Sequence, residues 1–190
     1  MRKITFDIET TNAGNGRIDP ETMELALVGI HDSETDTYDS FTVPELPRLW
    51  SILEHADLLI GYNSDHFDIP ILNRYYAGDL SRIRSLDLLV EIRNSLGRRL
   101  KLDSVAQATL GTKKSGSGLQ AVEWWQKGEV EKVRAYCLDD VRITKNIYEF
   151  ALKNGYVEYL DFKTKKKVPL DTAHWSQGSE KALMNHTLPF

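Results

Sequence analysis

Asp7 and Glu9 stand two residues apart inside the apolar run Ile4-Thr5-Phe6-Asp7-Ile8-Glu9-Thr10. A strand alternates its side chains with period two, so both carboxylates point to one face and Phe6 and Ile8 to the other. Two acids side by side repel, and the pair is costly unless positive charge sits between them. A divalent cation is the simplest such charge. Two more groups could join it. Asn63-Ser64-Asp65-His66-Phe67-Asp68 follows the apolar run Leu58-Leu59-Ile60-Gly61-Tyr62. Tyr136 and Asp140 are four residues apart in a long helical stretch, so they share one helical face, a turn apart. Four carboxylates (Asp7, Glu9, Asp68 and Asp140) exceed what one ion needs. They suit a pair of hard, oxygen-ligated cations, Mg²⁺ or Mn²⁺. Two such ions about 3.5–4 Å apart stabilise both the attacking and the leaving oxygen of a phosphoryl displacement.

These groups meet only if the elements between them allow it. Arg2 to Glu9 reads as a first strand, and Thr11 to Glu21 as a loop rich in Gly, Asn and Asp. Glu24 to Ile30 and Thr37 to Val43 read as two more strands, whose short connection favours antiparallel neighbours. Pro44 and Pro47 open a helix to His55, with Leu46, Leu49, Trp50 and Leu53 at helical spacing. Leu58 to Tyr62 predicts a buried parallel strand, Pro70 to Ala77 a helix and Ile83 to Leu89 another strand. Helices then follow: one with Leu102, Val105, Ala106 and Leu110 in register, ending at Gly111; one over Leu119 to Lys127; and one from Glu129 to Leu152, stopped by Asn154-Gly155. Tyr156 to Phe162 and Lys166 to Leu170 read as a terminal hairpin, and the last twenty residues carry little pattern. The order predicts an α/β fold with a mixed central sheet of about five strands, the first three antiparallel and the rest parallel to the first, flanked by helices. In such sheets ligands bind outside the carboxyl ends of the strands, where Glu9 and Tyr62 lie. The expected division is residues 1–155 as the main domain and 156–190 as a hairpin and tail packed on it.

Composition bounds the partners. A chain of 190 residues with 41% apolar residues supports one sizeable core. No apolar run approaches the roughly 20 residues of a membrane helix, so no membrane partner is expected. A charged-then-apolar leader is lacking at the N-terminus and Cys137 is the one cysteine, so a disulfide framework and a cysteine-rich zinc site are excluded and a cytoplasmic location is expected. The net charge of −4 argues against a uniformly basic nucleic-acid binder. Its distribution is uneven: residues 1–45 hold ten Asp/Glu and three Lys/Arg, whereas residues 93–114 hold six Lys/Arg and one acid. Lys163, Lys165, Lys166 and Lys167 form a second basic cluster. An acidic end facing basic segments suits a metal site with a phosphate-binding rim, and equally an ordinary solvated surface.

Phe6-Asp7-Ile8-Glu9-Thr10-Thr11, then Asn63 with Phe67-Asp68, then Tyr136 with Asp140, in this order, resembles the DEDD 3′–5′ exonucleases of the ribonuclease H-like superfamily. Tyr136 places the likeness in the DEDDy branch, because the histidine position of the DEDDh branch is Ala135. Leu86-Asp87-Leu88 and Lys101-Leu102-Asp103-Ser104-Val105-Ala106, with Leu110-Gly111, are similar to the proofreading exonuclease domains of B-family DNA polymerases. The likeness covers about residues 2–150. It implies a ribonuclease H-like fold and a two-metal exonuclease that releases nucleoside 5′-monophosphates from the 3′ end of single-stranded nucleic acid, DNA favoured over RNA. By the same likeness Asp7 bridges both metals, Glu9 and Asp140 hold the metal that activates water, and Asp68 holds the second, partly through water. Tyr136 orients the attacking water; with an ordinary pKa of about 10 it is a poor base. Thr10, Asn63 and Phe67 are expected near the terminal nucleotide. No polymerase domain follows, so a polymerase or a repair or processing partner is expected in trans. The alternatives are a non-catalytic nucleic-acid-binding or scaffold protein on a nuclease fold, and a ribonuclease H-type endonuclease.

The neighbouring residues have blander readings. Asp68 by itself reads as a helix N-cap. Spacing selects Asp140 over Asp139, which is expected in solvent. Asp87 reads as a supporting or structural group, His66 as a locally packed loop histidine, and Cys137 as a small core residue. Trp124 and Trp125 either pack one ring into the core or stack on bases. The Gly111–Gly118 loop lacks a phosphate-cradle pattern.

Overall fold

The first strand, β1 (Lys3–Thr10), buries Ile4, Phe6 and Ile8 on one face, as its alternation requires. The computed structural model describes residues 1–12, 19–112, 116–162 and 164–176. Arg17, Lys113, Lys114 and Lys163, parts of the Thr11–Glu21 and Gly111–Gly118 loops and most of the last twenty residues lie outside them.

β1 pairs antiparallel with β2 (Leu25–Asp32), which pairs antiparallel with β3 (Thr37–Thr42). On its other edge β1 runs parallel to β4 (Leu58–Gly61), and β4 runs parallel to β5 (Ser85–Asp87). The resulting order, β3-β2-β1-β4-β5, is the expected mixed five-stranded sheet. β2 is apolar along most of its length and buried along all of it, as suits a strand covered on both faces.

One face is covered by α1 (Leu46–Leu53) and α2 (Asp68–Asn73), whose Leu46, Leu49, Leu53, Ile69, Ile71 and Leu72 join Ile4, Phe6 and Ile8. On the other face lie α3 (Leu88–Leu96), α4 (Leu102–Leu110), α5 (Gly118–Gln126) and α6 (Val130–Asn154). α6 is 25 residues, about 37 Å of helix. Gly155 ends it in the left-handed region at φ 75°, a conformation that glycine adopts without steric cost. The hairpin β6 (Tyr156–Asp161) and β7 (Thr164–Pro169) then packs Val157, Tyr159 and Val168 into the α4–α6 core. Trp175 closes that core: it is fully buried, stacks on Tyr148 at 5.7 Å and donates its indole N–H to Glu91 at 3.2 Å.

Among the boundaries that differ from expectation, two have a visible cause. The fifth strand is three residues rather than seven, because Asp87 caps α3 by accepting the N–H of Leu89 at 2.9 Å and turns the chain helical at once. α2 ends at Asn73 rather than Ala77, and the Arg74 and Tyr75 N–H groups close the turn onto Ile71 and Leu72 carbonyls.

Candidate active site

β1 sets the site through its alternation. Ile4, Phe6 and Ile8 enter the α1–α2 core, leaving Asp7 and Glu9 on the face toward α6. Asp7 pairs across the ladder with Gly29 of β2. A Cβ built at Gly29 would stand 2.8 Å from Cys137 Sγ and 3.3 Å from side-chain carbons of Leu138 and Val141. The missing side chain therefore admits α6 against the sheet. Arg134 fixes the helix laterally, donating to the Ser40 carbonyl at 2.9 Å and to Glu45 at 3.0 Å. Held this close, one turn of α6 presents Tyr136, Cys137 and Asp140 to β1.

The result is an open cleft of about 330 Å³ at the carboxyl end of β1. Asp7, Glu9, Thr10, Phe67, Tyr136 and Asp140 all line it, with Met23, Leu119 and Val122 as apolar walls. Glu9 is 7% exposed and Asp140 3%, so both acids are largely withdrawn from water. Tyr136 is buried and its ring meets that of Trp124 edge-on at 6.3 Å.

Asp68 lies just behind the wall. Its Oδ1 accepts the N–H of Ile8, the residue between the two strand acids, at 3.1 Å. It is the first residue of α2 rather than its N-cap; Phe67 occupies the cap without a side-chain bond. Burial, reinforced by the charge of Asp87, pushes the Asp68 carboxyl well above the usual carboxylate range.

Asn63 does not line this cleft. It adopts the left-handed region at φ 66°, in a turn at the end of β4. The turn is tight: a Cβ at Gly61 would fall 2.3 Å from Ser64 Oγ. Asp87 holds it, with Oδ1 accepting the Asn63 N–H at 2.7 Å and Oδ2 the Asp65 N–H at 3.2 Å. The Phe67 N–H closes onto the Asn63 carbonyl at 3.1 Å, which turns Phe67 and Asp68 back toward β1. Thr10 donates its hydroxyl to the Asn12 carbonyl at 2.8 Å, bracing the chain as it leaves the strand.

The donor set fits hard divalent cations. Asp7, Glu9 and Cys137 offer atoms that all lie within 4.8 Å of one another. Burial and the charges of Asp7, Glu9 and Asp140 push the Cys137 thiol well up. Its soft sulfur donates to the Asp7 carbonyl at 3.4 Å, and hard cations prefer the carboxylate oxygens. A buried Asp68 that resists ionisation gains most from a nearby cation.

Several surroundings were not legible beforehand. Met23, Leu119 and Val122 line the cleft, and only the helical spacing of Leu119 and Val122 hinted at a shared face. Trp124 and Trp125 are both half-buried against Leu27, Val133 and Cys137. Asp139 pairs with Arg142 at 3.2 Å. His66 is exposed in the turn beside Asp65. The hairpin lysines are locally engaged: Lys165 with Glu158 at 3.1 Å, Lys166 with Asp161 at 2.5 Å, and Lys167 over the Tyr156 ring at 3.8 Å.

Comparison with known proteins agrees with the fold. A family model described as the RNase H superfamily matches residues 4–152. Among solved structures, the family B DNA polymerase of the hyperthermophilic archaeon Pyrobaculum calidifontis is similar, with a TM-score of 0.62 and 24% identity over 80% of this chain. The match spans 24% of that polymerase's length, and at this identity it bears on the fold alone. A search of curated proteins found no match.

Proposed function

The chain belongs to the RNase H superfamily, and from that premise we propose that it is a metal-dependent 3′–5′ exonuclease acting on single-stranded nucleic acid, DNA favoured over RNA. One observation carries the reading: Asp7, Glu9, Tyr136 and Asp140 line a single open cleft, with Asp68 bonded to the backbone between the two strand acids.

In this reading Asp7, Glu9, Asp140 and, from behind, Asp68 hold two divalent cations, Mg²⁺ or Mn²⁺. Bound there, the ions would supply Lewis acidity to the attacking and leaving oxygens of the scissile phosphodiester. Asp7, on the strand face that meets α6, would hold the ions together with Glu9 and Asp140. Tyr136 is fixed by Trp124 and orients the water for in-line attack. The buried setting strengthens each of these polar interactions. Phe67, Met23, Leu119 and Val122 offer apolar surface to the terminal base and sugar. The water attacks phosphorus, the 3′ oxygen of the preceding nucleotide leaves and takes up a proton, and a nucleoside 5′-monophosphate is released.

The test is digestion of end-labelled linear and circular single strands, DNA and RNA, with Mg²⁺ or Mn²⁺. Linear strands are expected to shorten from the 3′ end while circles stay intact. Cutting of circles would assign an endonuclease instead. Asp7→Ala and Asp140→Ala are expected to lower the rate at least a thousandfold with the fold retained by circular dichroism; activity equal to wild type in either would reject the site. Tyr136→Phe is expected to lower kcat 10- to 100-fold, as removal of a positioning hydroxyl does, while leaving calorimetric Mn²⁺ affinity unchanged.

A further inference from the structure

A second cleft of about 310 Å³ lies on the other side of the 63–68 turn, lined by Asn63, Asp65, His66, Asp87, Leu89, Val90, Arg93 and Arg99. It shares that turn with the candidate active site: His66 lines this cleft and the adjacent Phe67 lines the first. Two arginines meet there beside two aspartates. Several of the chain's other cations are met by anions, as in Arg2–Asp32, Arg134–Glu45 and Lys166–Asp161. Among the described residues, Arg93 and Arg99 form no ion pair, although both project from α3 and the segment that follows it into the same cleft.

The acids present are already committed. Asp87 is buried, and its two oxygens accept the N–H groups of Asn63, Asp65 and Leu89. Asp65 accepts the hydroxyl of Ser85 at 2.5 Å. Arg99 donates to the Asn63 side-chain carbonyl, which fixes one edge of its guanidinium. Asn63 is itself held in the left-handed region by Asp87. The cleft thus carries two guanidiniums, that of Arg99 set by Asn63, and an imidazole, with Leu89 and Val90 also lining it. Guanidinium pairs of this kind match the oxygens of a phosphodiester, and an exposed imidazole adds a further donor.

We propose that this cleft is a second subsite, in which Arg93, Arg99 and His66 hold one phosphodiester of the same strand, upstream of the bond cut beside Asp7. The inference rests on the exonuclease reading for its strand direction. A 3′ end seated against Phe67 has its preceding nucleotides passing over the 63–68 turn into the cleft. Asn63 acts here through Arg99, as a positioning residue. The subsite would set affinity for a strand, and the carboxylate cleft would set the chemistry.

Equilibrium binding of a fluorescent oligothymidylate in EDTA, over a salt series, tests the subsite with hydrolysis switched off. R93A/R99A is expected to weaken binding at least tenfold and to lower the salt slope by about 0.7, the value for one phosphate of a single strand. Arg99→Lys should recover charge but only part of the affinity, because the fork geometry is lost. K153A/K166A removes the same formal charge elsewhere and should leave the affinity within twofold. Both arginines are exposed, so the thermal midpoint of R93A/R99A should match wild type. Wild-type affinity in R93A/R99A, or an equal loss in K153A/K166A, would overturn the proposal. If arginine-dependent binding appears while wild-type protein with Mg²⁺ or Mn²⁺ cuts nothing, the subsite stands and the exonuclease reading falls. If cutting is seen and the arginines are silent, the reverse holds.

Discussion

At Asp68 three effects oppose ionisation: burial, then the charges of Asp87 and Asp65. Its carboxyl is raised above its unfolded value, so the folded chain keeps a proton that the unfolded chain has lost. Stability of the metal-free protein therefore falls as pH rises above the ordinary carboxylate range, because the native state binds more protons there. In EDTA, the thermal midpoint of wild type is expected to drop as pH is raised from 5 through 8, whereas Asp68→Asn should show a flatter profile. Adding Mn²⁺ should raise the wild-type midpoint, more at pH 8 than at pH 6, and raise that of Asp68→Asn less. Parallel pH profiles for the two proteins would remove Asp68 from this role. The motif made Asp68 visible in the sequence, but not its bond to Ile8 N–H. Asp87 was harder to read. One aspartate caps α3 and pins the 63–65 turn, joining segments 24 residues apart through bonds that no local pattern records.

Among the elements, the contact of α6 with β2 decides whether the site forms. Tyr136 and Asp140 sit on one face by helical period alone, yet that face meets Asp7 only because Gly29 has no side chain. Gly29→Ala puts a methyl 2.8 Å from Cys137 Sγ, on a short side chain of a packed helix with little room to yield. A loss of about 1–3 kcal/mol is expected from such overpacking, read by urea unfolding, with a drop in Mn²⁺ affinity as α6 is displaced. Gly29→Ala combined with Cys137→Ala returns the space and should recover most of both. If the double variant is no better than the single, the close approach at this point is not what positions α6. The strands and helices themselves were largely legible, since β1 and α6 follow periods of two and 3.6. The short β5 was not, because a cap at Asp87 outweighed the apolar run from Ile83 to Leu89.

For the molecule as a whole, stability is shared between the sheet and a core that its last described residues complete. Trp175 belongs to the core that also holds Leu88, Ile92 and Val168, and its indole meets α3 at Glu91 and α6 at Tyr148. Trp175→Ala is expected to cost about 3–5 kcal/mol, the range for a large buried aromatic, measured by urea unfolding. A loss under 1 kcal/mol would mean that the site collapses around the void. Among the described residues no helix is long and apolar enough to cross a membrane. The uneven charge also resolves at this scale. The acidic strand end forms the candidate metal site, whereas Lys165 and Lys166 are paired within the hairpin and Arg93 and Arg99 of the basic stretch meet in a cleft.

The sequence by itself determined the chemistry on offer. Period-two and period-four spacings put Asp7 with Glu9 and Tyr136 with Asp140, because those spacings are properties of one strand and one helix. The order of elements determined the sheet, because short connections and apolar runs restrict how strands pair. The tertiary structure alone decided which groups share a cleft. It left Asn63 outside and brought Met23, Leu119 and Val122 in. It buried Cys137 beside Asp7 and set two arginines across the turn from the carboxylates. These outcomes depend on how closely elements approach and how far water is excluded, and neither is a property of any single segment.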